Sequence, residues 1–238
     1  MSDEDRIYAE DTPPEPFRFT ARVADVFPDM IRRSVPGYGS VLELIGVLAG
    51  RYIQPGTNCY DLGASLGAAT LAMRHAAGDK DCRLVAVDSS EAMVARCRSI
   101  IAREPVGPPV EVQLADVRDL EISNASLVVM NYTLQFIEPA ERDALVNRIH
   151  AGLLPGGALI LSEKIQFRDP DRDQLHIDLH HDFKRSQGYS ELEIARKRTA
   201  LENVLIRDTL ETHDRRLREA GFTTVEPFFQ AFNFVSLL

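Results

Sequence analysis

The sequence predicts an α/β protein with a doubly wound, mostly parallel sheet of seven strands. Apolar blocks of strand length alternate with helical segments through the middle of the chain. The first block ends in an acid and a glycine-rich turn (61–67), and polar residues Asp88, Asp116 and Asn131 end later blocks. Blocks that are apolar throughout are typical of parallel strands, which helices cover on both faces.

Residues 1–55 are predicted to form an N-terminal helical segment. Prolines interrupt its beginning, apolar residues then recur at helical spacing over 23–31, and 41–52 is an amphipathic helix. The segment could lie over a ligand pocket or only pack against the sheet, and the sequence leaves both open.

Residues 56–165 are predicted to be the nucleotide-binding core of a single domain. After the first strand, which ends at Asp61, the predicted strands are 83–88, 110–116, 126–131 and 158–162, with helices at 68–77 and 139–153. Residues 166–207 are predicted to be a helical insertion, in which Ser190 and Glu193 form a capping box that opens a helix to about residue 206. Residues 208–238 then contain the last helix, 209–220, and an antiparallel hairpin of 222–229 and 231–238.

Composition excludes several classes of protein. The net charge of −9 argues against a nucleic-acid binder, and no apolar run reaches membrane-spanning length. The acidic N-terminus is unlike a signal peptide, and the three cysteines form no C-x-x-C pair. We therefore expect a cytoplasmic protein with free thiols.

A metal site is not predicted. His176 and His180 are spaced to face one side of a helix, but only Asp178 and Asp182 are near enough in sequence to complete a ligand set. A polar helix face explains these residues better.

The turn after Asp61 predicts a nucleotide-like ligand. Gly63, Ala64 and Ser65 join a strand to a helix, where backbone N–H groups can approach a ligand closely. Ser65 stands where the dinucleotide fingerprint needs its second glycine, and there is no P-loop. Asp61 would suit a ligand that carries an amine and a positive charge, which favours S-adenosyl-L-methionine over NAD.

Three further strand ends supply candidate ligand contacts. Asp88 is 27 residues after Asp61, close to the spacing at which an acid receives a ribose diol. Asp116 could accept from an adenine amino group while the Val117 N–H meets a ring nitrogen. Asn131 is expected beside the first turn.

These residues and the Leu-Pro-Gly-Gly turn resemble the class I S-adenosyl-L-methionine-dependent methyltransferases, with their Rossmann-like fold. More narrowly, nearly the whole chain is similar to the bacterial carboxy-S-adenosyl-L-methionine synthases. The segments that carry this resemblance are 26–31, 33–38, 67–71, 131–136, 161–164, 180–184 and 188–194.

The resemblance implies a synthase that converts S-adenosyl-L-methionine and prephenate to carboxy-S-adenosyl-L-methionine and phenylpyruvate. A separate enzyme then uses the product to modify the wobble uridine of certain tRNAs, so no direct contact with nucleic acid is expected. The ligand contacts it implies fall at Tyr38, Gly63, Ala64, Ser65, Asp88, Ser89, Asp116, Val117, Asn131 and Arg198. Ala64 and Ser89 depart from the cysteine and asparagine common in the family, and backbone atoms could make both contacts.

Arg198 is the predicted catalytic residue. Ile194, Arg198, Leu201 and Leu205 share one face of the predicted helix, so Arg198 would interrupt an apolar stripe. An intramolecular or intersubunit salt bridge could explain it. We favour a bidentate contact with the product carboxylate, and the resemblance implies a homodimer in which Arg198 reaches the partner's pocket.

Two other functions stay open at the level of sequence. The chain could be an ordinary methyltransferase acting on a small molecule or RNA, although the fourth strand lacks an Asn-Pro-Pro-Tyr box. It could also be a non-catalytic protein that binds S-adenosyl-L-methionine, since a pocket indicates binding but not turnover.

Overall fold

The computed structural model describes residues 4–9 and 15–238, in which seven strands form one sheet. The strands are β1 (Thr57–Leu62), β2 (Cys82–Asp88), β3 (Val110–Leu114), β4 (Ala125–Asn131), β5 (Leu153–Lys164), β6 (Pro227–Ala231) and β7 (Phe234–Leu237). The helices are α1 (Ala21–Ser34), α2 (Tyr38–Tyr52), α3 (Ala68–Ala77), α4 (Glu91–Ile101), α5 (Pro139–Gly152), α6 (Pro170–Ser186), α7 (Glu191–Leu201) and α8 (Leu210–Ala220), with a 3-10 turn at Leu134–Phe136. None of the helices in these described ranges is long and apolar enough to cross a membrane.

The strand order is β3-β2-β1-β4-β5-β7-β6, which confirms the predicted doubly wound sheet. Strands β1 to β5 pair in parallel, whereas β7 runs antiparallel to β5 and β6 runs antiparallel to β7. The chain winds outward from β1 in one direction and then returns to β4 on the other side. A crevice opens at such a switch point, outside the carboxyl ends of the strands.

Alternate residues of the central strands fill two apolar layers. Val128 and Met130 of β4 pack on one face of the sheet, in a cluster that includes residues of α5 and α8. Leu127 and Val129 pack on the other face, against residues of α2 and α3. Because both faces are covered, the strands are apolar at nearly every position, as the sequence indicated.

Several predicted boundaries were wrong. Strand β6 begins at Pro227 rather than residue 222, β7 begins at Phe234 rather than residue 231, and α2 begins at Tyr38 rather than residue 41. Strand β3 ends at Leu114, two residues before the predicted end. Strand β5 begins at Leu153 rather than residue 158, because Leu153 already pairs with Ala125 and a register shift accommodates the Pro-Gly-Gly turn. Helix α7 has the predicted capping box but ends at Leu201, not near residue 206.

Arg142 explains why the chain turns away after α7. Its side chain is completely buried and donates to the backbone carbonyls of Ile206 at 2.9 Å, Ile137 at 2.8 Å and Gln135 at 3.3 Å. It also forms an ion pair with Asp208 at 2.7 Å. These bonds hold the segment after α7 against the residues that follow β4, so the helix cannot continue along its axis.

Replacing Arg142 by Ala should therefore lower the free energy of unfolding by roughly 3–5 kcal/mol, the usual cost of breaking a buried ion pair. Urea unfolding would measure the change. Arg148→Ala is the matched control, because Arg148 lies exposed on the same helix and should cost less than about 0.5 kcal/mol. Equal effects of the two substitutions would contradict this role for Arg142.

Candidate active site at the carboxyl ends of the strands

A cavity of about 430 Å³ lies at the carboxyl ends of β1, β2 and β4, a size typical of small-molecule sites. Every predicted contact residue except Arg198 lines it. These residues are Tyr38, Asp61, Gly63, Ala64, Ser65, Asp88, Ser89, Asp116, Val117 and Asn131. The fold thus brings together side chains that are almost 100 residues apart in the sequence. Their individual roles toward a ligand stay predictions.

The turn after β1 is anchored to the neighbouring strand. The N–H groups of Gly63 and Ala64 donate to the Val87 carbonyl at 2.8 and 2.9 Å, and the Ser65 N–H donates to Asp88 Oδ2 at 2.9 Å. We expected these N–H groups to face the ligand, and this expectation was wrong, because their hydrogen bonds are directed at β2. The hydrogen bonds instead fix the turn close to the end of β2.

Asp61 is a buried carboxylate with one strong internal donor. Its side chain accepts from the Thr70 hydroxyl at 2.5 Å, and the residue is only 1% exposed. Burial raises the pKa of Asp61 to about 6, and the Thr70 hydrogen bonds only partly offset that cost. A cationic group in the cavity would supply the missing counter-charge.

The two other acids differ in how far their charge is already satisfied. Asp88 accepts from the backbone N–H groups of Ser65 and Ser90, and burial still raises its pKa. Both oxygens of Asp116 accept from the Arg118 guanidinium, at 2.9 and 2.6 Å, and this hydrogen bonding lowers the pKa of Asp116. A ligand that bonds to Asp116 would therefore share it with Arg118.

Asn131 lines the cavity and contains a side-chain atom without a hydrogen-bond partner in the described ranges. Its Oδ1 atom is buried and has no hydrogen-bond partner among the described residues. Because buried acceptors normally have a donor, this atom is a candidate for a hydrogen bond that forms when the cavity is filled. The next residue, Tyr132, has a positive φ of 63°, and its ring packs between those of Tyr38 and Phe234. Tyr38 lies on the cavity wall, where burial raises its pKa.

The N-terminal segment covers the cavity as well as packing against the fold. Phe19, Phe27 and Met30 line the cavity wall. The Phe19 ring contacts Phe136 edge to face at 5.4 Å, and the Phe19 carbonyl accepts from the Ser90 hydroxyl at 2.6 Å. Of the two alternatives that the sequence left open, the structure favours a cover over the pocket.

The opposite wall is basic, which the sequence analysis missed. Lys164 at the end of β5, Lys184 on α6 and Lys197 on α7 all line the cavity. His180 joins them, with its Nε2–H donating to the Ser34 carbonyl at 2.8 Å and its Nδ1 accepting from Lys164 at 3.3 Å. Asp88 and Asn131 were selected because they are polar residues at the ends of strands, and the same criterion would also have selected Lys164.

The predicted orientation of Arg198 was wrong. Arg198 is exposed and absent from the cavity wall, whereas Lys197 is 5% exposed and faces inward. The buried face of α7 contains Ile194, Lys197 and Ala200. Leu205, which was used to predict the buried face, lies outside the helix, because the helix ends at Leu201.

The two histidines of the suspected pair lie in different surroundings. His176 stacks on Phe167, with ring centroids 4.3 Å apart, and His180 is buried against the Ser34 carbonyl. Within residues 4–9 and 15–238, no three His, Cys, Asp or Glu side chains form a group that could hold a metal ion.

The comparisons with known proteins agree with this geometry. Residues 60–157 match the family model described as a methyltransferase domain. The chain is 56% identical over 223 residues to the carboxy-S-adenosyl-L-methionine synthase of Geobacter sp. strain M21, covering 93% of this chain and 91% of that protein. It is 57% identical over 220 residues to the enzyme of that name from Salmonella typhimurium, covering 92% and 89% of the two chains.

Solved structures of low sequence identity share the fold. An O-methyltransferase family protein from Burkholderia thailandensis superposes with a TM-score of 0.66 at 18% identity, covering 92% of this chain and 59% of its own. A putative S-adenosyl-L-methionine-dependent methyltransferase from Methanococcus maripaludis gives a TM-score of 0.58 at 20% identity, covering 95% and 96% of the two chains.

Asp61→Asn should stabilise the ligand-free protein at pH 7. The folded-state pKa of about 6 lies above the ordinary 3.8, so the folded protein favours the protonated carboxyl group. The contribution of this group to the free energy of unfolding is therefore fully present below pH 4 and is lost as the pH rises through 6. The amide cannot ionise, and the expected gain at pH 7 is on the order of 2–3 kcal/mol. Thermal unfolding at pH 7 and pH 4 measures it. A gain of the same size at both pH values would contradict the account.

Gly63→Ala should damage the turn. Gly63 has φ of +81°, and an added Cβ would lie 2.3 Å from Thr133 Oγ1. We expect a loss of roughly 2–4 kcal/mol from backbone strain and overpacking combined. Gly39→Ala is the control, since nothing lies within 4 Å of that position on α2, and it should gain about 0.5–1 kcal/mol. A neutral Gly63→Ala would show that the turn can move.

Proposed function

The chain belongs to the carboxy-S-adenosyl-L-methionine synthases, and on that basis we propose that it converts S-adenosyl-L-methionine and prephenate to carboxy-S-adenosyl-L-methionine and phenylpyruvate. The observation that carries the proposal is one cavity with acids on one wall and lysines on the other. A methyltransferase that binds only S-adenosyl-L-methionine and a neutral acceptor has no need of the basic wall. A second, anionic substrate accounts for it.

The acidic wall supplies the groups that would hold S-adenosyl-L-methionine. Asp61 is placed to receive its ammonium group, which would restore the counter-charge that burial denies this carboxylate. Asp88 would accept from the ribose hydroxyls, and Asp116 with Val117 would flank the adenine. The orphaned Oδ1 atom of Asn131 would gain a donor from the same ligand.

The proposed reaction balances without an added oxidant or base. The sulfonium of S-adenosyl-L-methionine makes its methyl protons acidic. Prephenate loses one carboxyl group as carbon dioxide, and its hydroxyl leaves as water with a proton taken from that methyl group. A carbon–carbon bond then forms between the methyl carbon and carbon dioxide. The protein's part is to hold both substrates in register and to exclude water, which the aromatic N-terminal cover would do.

Arg198 would bind the product carboxylate from across a homodimer. The residue is exposed in its own chain and does not line its own cavity. An exposed arginine on α7 can reach a partner's site if the two subunits pack around that helix. The product would serve the modification of wobble uridine by another enzyme in the cytoplasm, which needs no contact between this chain and tRNA.

Activity of mixed variants tests this arrangement. Arg198→Ala and Asp88→Ala should each lose most synthase activity alone, since one lacks the carboxylate contact and the other the ribose acceptor. Co-folded in equal amounts, they should recover roughly a quarter of wild-type activity, because half of the dimers would contain one intact site. Carboxylated product would be quantified by mass spectrometry. No recovery, or an unimpaired Arg198→Ala enzyme, would contradict the role of Arg198 in the partner's site.

Labelled prephenate distinguishes the synthase from the two other functions. Protein incubated with S-adenosyl-L-methionine and prephenate carrying ¹³C in its ring carboxyl group should form a product that contains the label. A methyltransferase would instead transfer an unlabelled methyl group to an acceptor. A binding protein would give no product from either substrate.

A further inference from the structure

Lysine is rare in this chain and concentrated at the cavity. The sequence contains four lysines, Lys80, Lys164, Lys184 and Lys197, against 23 arginines. Three of the four line the cavity, and they come from three successive elements, β5, α6 and α7. Arginine supplies nearly all of the surface cations, so the use of lysine here is not a general preference of the chain.

The three ammonium groups differ in their internal partners. Lys164 donates to His180 at 3.3 Å. Lys197 donates to the Ser34 hydroxyl at 2.8 Å and pairs with Asp5 at 3.4 Å. Lys184 is only 6% exposed, yet its Nζ atom makes no hydrogen bond or ion pair with any residue in the described ranges.

An unpaired buried ammonium group is unfavourable in the ligand-free protein. Burial lowers the pKa of Lys184 well below its ordinary value, and the charges of Lys164 and Lys197 lower it further. Burial likewise lowers the pKa of Lys164, to about 8. A cluster of buried like charges is costly, and binding a ligand of opposite charge between them offsets that cost.

In the described part of the chain, the acids that line the cavity form no ion pair with this cluster, and this holds for the exposed Glu138 as well as for the three strand-end acids. Asp61 is bonded to Thr70, Asp88 to the backbone at Ser65 and Ser90, and Asp116 to Arg118. Among the acids of the described residues, Asp5 pairs directly with Lys197. The charge of Asp5 also raises the pKa of Lys184, and that of Asp173 raises the pKa of Lys164, but neither offsets the effect of burial. The basic wall can therefore bind an anion while the acidic wall binds a cation.

We propose that Lys164, Lys184 and Lys197 form a carboxylate subsite for the second substrate, with Lys184 making the direct contact. This inference rests on the proposed synthase function. The carboxylate in question is the one on the oxoacid side chain, which keeps its charge in both substrate and product. The transferred carboxyl group loses its charge as carbon dioxide, so a fixed cluster of cations bound to it would hold it back. Lys184 would thus bind and orient the second substrate without acting on the carboxyl group that is transferred.

Phenylpyruvate is the probe for this subsite, because it contains the retained carboxylate and cannot react. Calorimetric titration into protein saturated with S-adenosylhomocysteine measures binding without turnover. Lys184→Met should weaken phenylpyruvate binding roughly 10- to 100-fold, as expected for loss of a hydrogen bond to a charged group. Lys80→Met, the same substitution at the lysine outside the cavity, should bind phenylpyruvate as the wild type does.

The affinity for S-adenosylhomocysteine should be the same in all three proteins, which shows that the variants are folded. Wild-type protein that does not bind phenylpyruvate, or Lys184→Met protein that binds it equally well, would overturn the subsite. This result is separable from failure of the proposed function. Carboxylated product with an unchanged prephenate KM in Lys184→Met would refute the subsite alone. Lysine-dependent phenylpyruvate binding without any product would refute the synthase alone.

Discussion

The arrangement of the site depends on a carboxylate buried at the end of the first strand. Asp61 lies at the centre of the sheet between β2 and β4, where a parallel strand ends and a helix begins. Its Thr70 hydrogen bond connects β1 to α3, so the carboxylate fixes the turn and also gives the cavity a negative wall. Burial makes that charge costly in the ligand-free protein, and the same cost favours a cationic ligand.

Charge separation across the cavity is the second constraint. The acidic wall comes from the ends of β1 to β3, and the basic wall comes from β5, α6 and α7. A sheet of this topology places both walls at one edge, because parallel strands all end on the same side. The basic wall lies in the helical insertion and at the last parallel strand, outside residues 60–120 where most of the predicted nucleotide contacts lie.

The sequence predicted the acidic wall because its signals are local. An apolar strand that ends in Asp88 or Asn131 can be recognised without knowing what packs beside it. Of the basic wall, Lys164 could have been predicted in this way, because it ends β5. Lys184 and Lys197 could not, since they reach the cavity only when α6 and α7 fold over the strand ends. The buried face of α7 was predicted wrongly for a related reason. The prediction extended the helix to about residue 206, whereas contacts of the distant Arg142 with Ile206 and Asp208 hold that segment away from the helix axis.

Mass spectrometry of the small molecule that co-purifies with the protein tests the central claim most directly. The cavity is proposed to bind a sulfonium ligand on one wall and to generate a carboxylate on its methyl carbon. The account predicts a species with the mass of S-adenosyl-L-methionine increased by one carboxyl group. Recovery of only S-adenosyl-L-methionine or S-adenosylhomocysteine, from cells that make prephenate, would contradict it.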